Sequence, residues 1–270
     1  MNNIGSKALL ALLLNIMLFS ACKTAVKQQE DSVYSRHLQR HVALTVITTP
    51  MPDNKEDMNL LIFNGADMLN KLDAKKIIDS LHKKKLLQPL TVVGVEAKEQ
   101  EDWGISGITG LNEEGKKADK YAAFVNNELY PFIKKKVSLR KFHSVAVAGC
   151  GLGASSAFDI AWTFSDRFDK VGIFSPDLNY AGKDEKGTEL AILQLSKSKK
   201  KPGAAFWLYA SSKDSSVKKN ADLLEQFINK RNANSTANMK KMNETIAGND
   251  IHAWHHQFAD FLVWAFGKNQ

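Results

Sequence analysis

Apolar residues in this chain follow two rhythms. Short continuous aliphatic runs suit strands buried on both faces; apolar positions recurring every three or four residues suit helices. Runs of the first kind are HVALTVITTP from His41, Asn59 to Phe63, Leu90 to Val95, Val145 to Ala148, Val171 to Phe174 and Ala205 to Ala210. Helical spacing marks Lys71 to Lys85, through Leu72, Ile77, Ile78 and Leu81, and Ala118 to Lys135, through Tyr121, Phe124, Val125, Leu129 and Phe132. It returns in Thr188 to Leu195, in Ser215 to Asn229, and in Ala253 to Phe266, whose stripe is Trp254, Phe258, Phe261, Leu262 and Ala265. Pro89 ends the first helical pattern, and Pro131 predicts a kink in the second. Residues 231–246 are polar and predict a helix plus a last short strand, and Trp103 to Asn112 reads as a glycine-rich loop. Alternation of this sort predicts an α/β fold, a mostly parallel sheet with helices on both faces and little or no cap.

The first 21 residues have another character. Lys7 precedes an apolar stretch, Ala8 to Phe19, interrupted only by Asn15 and too short to span a membrane comfortably. Phe19-Ser20-Ala21-Cys22 resembles a lipobox, which predicts cleavage before Cys22 and acylation of that residue. Lys23, next to the anchor, is not the aspartate associated with inner-membrane retention. The expectation is a signal peptide over 1–21, a lipidated polar tether over 22–40 and a domain over 41–270. The location expected is the cell envelope, at the outer membrane.

Charge changes this picture little. The chain of 270 residues carries a formal net charge of +8. Its lysines cluster in short runs, Lys83–Lys85, Lys134–Lys136 and Lys197–Lys201, at helix ends and in loops. Without interleaved aromatics or a nucleic-acid motif, these runs read as solvated surface, and a nucleic-acid partner is not expected. With Cys22 acylated, Cys150 is left alone and an intramolecular disulfide is not expected.

The most informative stretch is HSVAVAGCGLGASSAF, residues 143–158. An aliphatic strand stops at glycines, and Ala154, Ala157, Phe158 and Ala161 then take up helical spacing. Strand, tight turn and helix form the context of the nucleophile elbow, G-x-S-x-G. Gly149 and Gly153 hold its glycine places, and Gly151 holds the place of the serine. Other segments match in order: LLIFNGADML (60–69), PLTVVGVEA (89–97), YAAFVNNELYPFI (121–133), FSDRFDKVGIFSPDL (164–178), WLYASSKDSS (207–216) and AGNDIHAWHHQF (247–258). From residue 42 onward the chain resembles the putative-esterase family of α/β-hydrolases, which includes feruloyl and enterochelin esterases and S-formylglutathione hydrolase.

The resemblance implies a nucleophile, a base and an acid at Gly151, Asn249 and Asp214. Glycine has no side chain, and an amide does not accept a serine proton near neutrality. Only the acid place is retained. Backbone N–H groups of Leu152 and Ala66 fall at the oxyanion place, which does not depend on side chains. A pseudo-hydrolase is therefore expected, with a cleft kept for a glycan, an ester, a siderophore-like ligand or a partner protein. The rival readings are a weak esterase built from Ser155, His252 and Asp214, and a purely structural lipoprotein. Cys150 lies one place early for a nucleophile and reads as a buried small residue. His252 and His256 have the spacing of metal ligands but lack the following glutamate of the zinc-peptidase motif, so neither metal nor cofactor is expected.

Overall fold

The computed structural model describes residues 25–97, 99–109, 111, 114–200, 203–211, 214–231, 239–244 and 250–268. Its centre is an eight-stranded sheet in the order β1-β2-β4-β3-β5-β6-β7-β8. The strands are β1 (Lys27–Ser35), β2 (Arg40–Thr48), β3 (Asn59–Asn64), β4 (Leu90–Val95), β5 (Val145–Cys150), β6 (Lys170–Phe174), β7 (Ala205–Ser211) and β8 (Met239–Glu244). From β4 to β8 all neighbours run parallel, while β1 and β2 are joined antiparallel at one edge. Strands β3, β4 and β5 are buried at every residue, as continuous aliphatic runs require when both faces are covered.

Two helical layers cover the sheet. On one face lie α1 (Ala66–Lys71), α2 (Ala74–Lys83) and α8 (Asp250–Phe266), whose Leu69, Ile78, Phe258 and Phe261 share a core with Phe63, Val92 and Trp207. On the other lie α3 (Ala118–Phe124), α4 (Tyr130–Lys136), α5 (Leu152–Thr163), α6 (Leu190–Lys197) and α7 (Ser215–Arg231). Their Tyr121, Phe124, Phe158, Leu195 and Leu224 close the larger core.

Three elements differ from the sequence reading. Residues 27–35, expected within a tether, form β1, paired with β2 from Lys27↔Thr48 to Ser35↔Arg40. An edge strand is held by backbone bonds and needs few apolar side chains, so KQQEDSVYS shows no strand pattern; its charges suit an exposed edge. The helix expected over Lys71 to Lys85 is α2, starting at Ala74, and a further short helix, α1, precedes it, with Asp73 turning left-handed at φ 50° between the two. The helix around Pro131 widens before the proline into a π turn, Val125–Leu129. Proline lacks an N–H and crowds the carbonyl four residues back, and the wider turn accommodates both. Of residues 231–246, the described part includes β8.

Among the described residues, no helix is long and apolar enough to cross a membrane. Cys22 and the apolar stretch before it lie outside the described residues.

Candidate functional site

The site begins where β5 gives way to α5. Gly151 takes φ 57° and ψ −127°, a backbone conformation that side chains rarely adopt. Its N–H donates to the Phe174 carbonyl at 2.9 Å, and its own carbonyl accepts the Ala154 N–H at 3.0 Å. The turn is thereby tied to β6 and to the helix it opens. The three glycines here do different work. A Cβ on Gly149 would lie 2.4 Å from the Gly153 carbonyl oxygen, and one on Gly153 would lie 3.1 Å from the Asn64 carbonyl oxygen. Those two glycines let helix and strands approach closely. A Cβ on Gly151 would meet nothing within 4 Å. The elbow therefore retains its strained turn and an open space above it, with no side chain to fill the space.

The neighbouring strand ends at the same height, since Asn64 of β3 is in register with Gly149 of β5. Gly65 follows with φ 121° and opens α1. Ala66 and Leu152 are thus the first residues of two helices that begin side by side at the sheet's crest. Neither amide has a carbonyl four residues earlier in its own helix, and both sit at the positive end of a helix dipole. The Trp103 ring spans the two turns, 3.8 Å from a Cβ built on Gly65 and 3.6 Å from one built on Gly153.

Beneath these turns runs a buried polar network that the sequence reading did not foresee. Tyr121 donates its hydroxyl to Asn64 Oδ1 at 2.8 Å, and Asn64 Nδ2 donates to the Gly153 carbonyl at 2.9 Å. Burial drives the Tyr121 phenol well above the ordinary tyrosine range, so it stays a donor. The signal available at Asn64 is an amide closing the apolar run Leu60 to Phe63 directly before a glycine. Tyr121 gave none, because it sits on the apolar stripe of α3.

Asp214 has a structural employment. Its Oδ1 accepts the Ser216 N–H at 2.9 Å and the Val217 N–H at 3.2 Å, capping the exposed start of α7. Asn249 lies outside the described residues. Trp254, five residues on, donates its indole N–H to Ser175 Oγ at 3.0 Å, which ties the start of α8 to the end of β6.

The alternative candidates Ser155 and His252 lie on two different helices, α5 and α8. Ser155 is fully buried within α5, and its hydroxyl donates to the Asp177 carbonyl at 2.5 Å. It lies a helical turn beyond Gly151. His252 is exposed on α8, in edge-to-face contact with His256 at 5.2 Å between centroids. Cys150 is buried in the core shared by α2 and α8, as the residue before the elbow place was expected to be.

A groove of about 440 Å³ opens beside Ala66, lined by Thr45, Asp67, Asn70, Glu96 and Trp103, with Glu30 at its wall. Its carboxylates give it an acidic lining on a basic protein.

The family model described as Putative esterase matches residues 35–265. The chain belongs to the putative esterase family. Similar folds include an enterobactin esterase from Shigella flexneri, at 15% identity and a TM-score of 0.69 over 91% of this chain. A ferulic acid esterase matches at 18% identity and TM-score 0.67, covering 90% of this chain and 98% of its own. The BES protein from Bacillus cereus matches at 19% and 0.65, covering 88% and 94%. This chain covers 61% of the length of the Shigella esterase. A search of curated proteins gave no match. These likenesses establish the α/β-hydrolase fold.

Proposed function

We propose that this esterase-family protein is a pseudo-hydrolase, anchored in the cell envelope through an acylated Cys22, that binds a ligand at the crest without hydrolysing it. The observation that carries the reading is Gly151: elbow geometry at φ 57° and ψ −127°, open space above it, and no side chain. Loss of the nucleophile alone removes roughly six orders of magnitude of turnover in a well-studied serine hydrolase. On the family resemblance the base place, Asn249, carries an amide as well. The amides of Leu152 and Ala66 remain to hold a carbonyl or hydroxyl oxygen.

Among the ligand classes the family suggests, a neutral glycan or ester suits the groove beside Ala66 better than an anionic siderophore. Glu30 and Glu96 would repel a polyanion there, Asp67 being paired with Lys71. The experiment has two arms. Purified protein incubated with p-nitrophenyl acetate, a feruloyl ester and a fluorophosphonate probe should show neither turnover nor labelling above a heat-killed control. The double variant Gly151→Ser/Asn249→His should then gain measurable esterase activity. Wild-type turnover would overturn the pseudo-hydrolase reading. A thermal shift with neutral oligosaccharides and none with catecholate siderophores would support the ligand class.

A further inference from the structure

The sheet register says which end of the domain an anchor would hold. Lys27, at the start of β1, pairs with Thr48, and Thr48 pairs with Thr91 near the start of β4. Thr91 in turn pairs with Leu60, near the start of β3. The first described residues therefore lie at the end of the sheet where the parallel strands begin. The elbow, Gly65 and the groove-facing turns lie where those strands finish. One strand length separates the two ends, about 20 Å for the six residues of β3.

The chain is pinned at that lower end. Val26 is buried in the core with Ile77 and Ile78 of α2. With Ala25 it lines a hollow whose other walls are Lys75, Lys76, Asp79 and Lys83. Cys22 is four residues before Val26, and an extended chain spans at most about 3.6 Å per residue, so Cys22 lies within about 14 Å of Val26. That bound holds for any path the intervening residues take.

The surface around this point is basic. Lys76 and Lys83 are matched by Asp73 and Asp79. Lys27, Lys75, Lys84 and Lys85 are exposed, and set against the loop of Asp53, Lys55, Glu56 and Asp57 at the same end they still leave positive charge in excess. Leu86, 43% exposed, stands at the same end. A short attachment, a cluster of lysines within about a Debye length of it, and an exposed leucine together fit an anionic bilayer surface. A single acyl attachment reinforced by basic residues holds far better than either alone.

We infer that the α2 face and the start of β1 form a membrane-contacting base that docks on anionic lipid headgroups, so that the elbow and groove point away from the bilayer. The inference rests on the proposed Cys22 anchor and deepens it: a crest held upright would receive a soluble ligand, not a membrane lipid.

The full-length protein, produced in a lipoprotein-processing host, is reconstituted into vesicles of phosphatidylcholine mixed with phosphatidylglycerol, or of phosphatidylcholine alone. Fluorophores are placed at Ser80→Cys on α2 and at Lys186→Cys in the loop after β6, and headgroup-labelled lipid is the quencher. The Ser80 probe should be quenched several-fold more than the Lys186 probe in mixed vesicles, and this contrast should shrink in phosphatidylcholine alone. Reversing Lys75, Lys84 and Lys85 to glutamate should reduce the contrast at least about fivefold, while reversing Lys183, Lys218 and Lys219, which follow the ends of β6 and β7, should leave it intact. Equal quenching at both probes, or indifference to the α2 reversals, overturns the docking face. Unchanged vesicle association after Cys22→Ser overturns the anchor itself. Neither readout depends on the elbow, whose test is esterase turnover.

Discussion

Asn64 Nδ2 donates to the Gly153 carbonyl across 2.9 Å, joining the last residue of β3 to the first turn of the elbow helix. Asn64 also accepts the Tyr121 hydroxyl, so one amide side chain bonds two other elements inside the core. The two crest turns, at Gly65 and Gly151, are thereby locked together from below. Rigid turns are what a binding notch made of backbone amides requires.

Replacing Asn64 by alanine should therefore be costly. It strands the buried Tyr121 phenol and removes the side-chain bond to the Gly153 carbonyl, which keeps its helical bond; an unsatisfied group costs about 1–3 kcal/mol and a lost bond about 1 kcal/mol. The expected loss is about 2–4 kcal/mol in urea denaturation. Tyr121→Phe removes only the donor, leaves Asn64 bonded to Gly153, and should cost about 1 kcal/mol. Equal losses for the two variants would show that the network does not branch at Asn64.

The elbow glycines should respond to side chains in opposite order to their apparent catalytic importance. Gly149→Ala forces a Cβ to 2.4 Å from a backbone oxygen that cannot swing aside. A cost of about 3 kcal/mol or more is expected, or failure to fold. Gly151→Ser meets open space and incurs only the left-handed strain of its backbone, about 1–3 kcal/mol. Thermal denaturation of the two variants checks the ranking, and a Gly151→Ser protein less stable than Gly149→Ala would contradict the geometry.

The strand-to-helix turn at Gly151 is legible in the sequence, other parts of this end of the fold less so, and the reasons differ by residue. Gly149, Gly151 and Gly153 announced themselves because a buried strand broken by three spaced glycines has few uses other than a tight strand-to-helix turn. Six of the eight strands were visible as aliphatic runs: β3 to β7 because parallel strands bury both faces, and antiparallel β2 because its stretch from Leu44 to Ile47 is covered as well. β1 was not visible, because an edge strand is specified by its neighbour's backbone more than by its own side chains. Asp214 was visible as an acid, but its work as a helix cap depends on where α7 starts, which spacing locates only to within a few residues. Asp159 was hidden inside an apolar helical run, ASSAFDIAW, where a lone carboxylate has no pattern to belong to.

If Asp214 persists as a cap, its substitutions should follow capping chemistry. Asp214→Ala should cost about 1 kcal/mol, whereas Asp214→Asn and Asp214→Ser should be nearly neutral. On the proposed pseudo-hydrolase reading, turnover should stay at background in all three. In the Gly151→Ser/Asn249→His background the pattern should change, with Asp214→Asn reducing the regained esterase activity. A residue with only a capping role would leave that activity unchanged in Asp214→Asn.

The buried carboxyl of Asp159 gives the fold a pH dependence of unusual sign. Asp159 is 4% exposed on α5 and accepts the Ser106 hydroxyl at 2.6 Å, at the wall of a cavity shared with Asp119, Gln194, Lys197 and Lys200. Burial pushes its pKa up from 3.8 to about 7, against the opposing hydrogen bonds from Ser106. Between those two values the native state holds a proton that the unfolded chain has released. Stability therefore falls as pH rises, because the unfolded state binds fewer protons there. The contribution is full below about pH 4 and is lost as pH climbs through about 7, with a total on the order of 4 kcal/mol. Asp159→Asn, which cannot ionise, should flatten the dependence across this window in urea titrations at a series of pH values. Ser106→Ala should extend the decline above pH 7, since it removes a bond that favours the charged carboxylate. A wild-type protein whose stability does not differ in slope from Asp159→Asn between pH 4 and 7 would mean that the carboxyl is hydrated in solution and titrates as an ordinary aspartate.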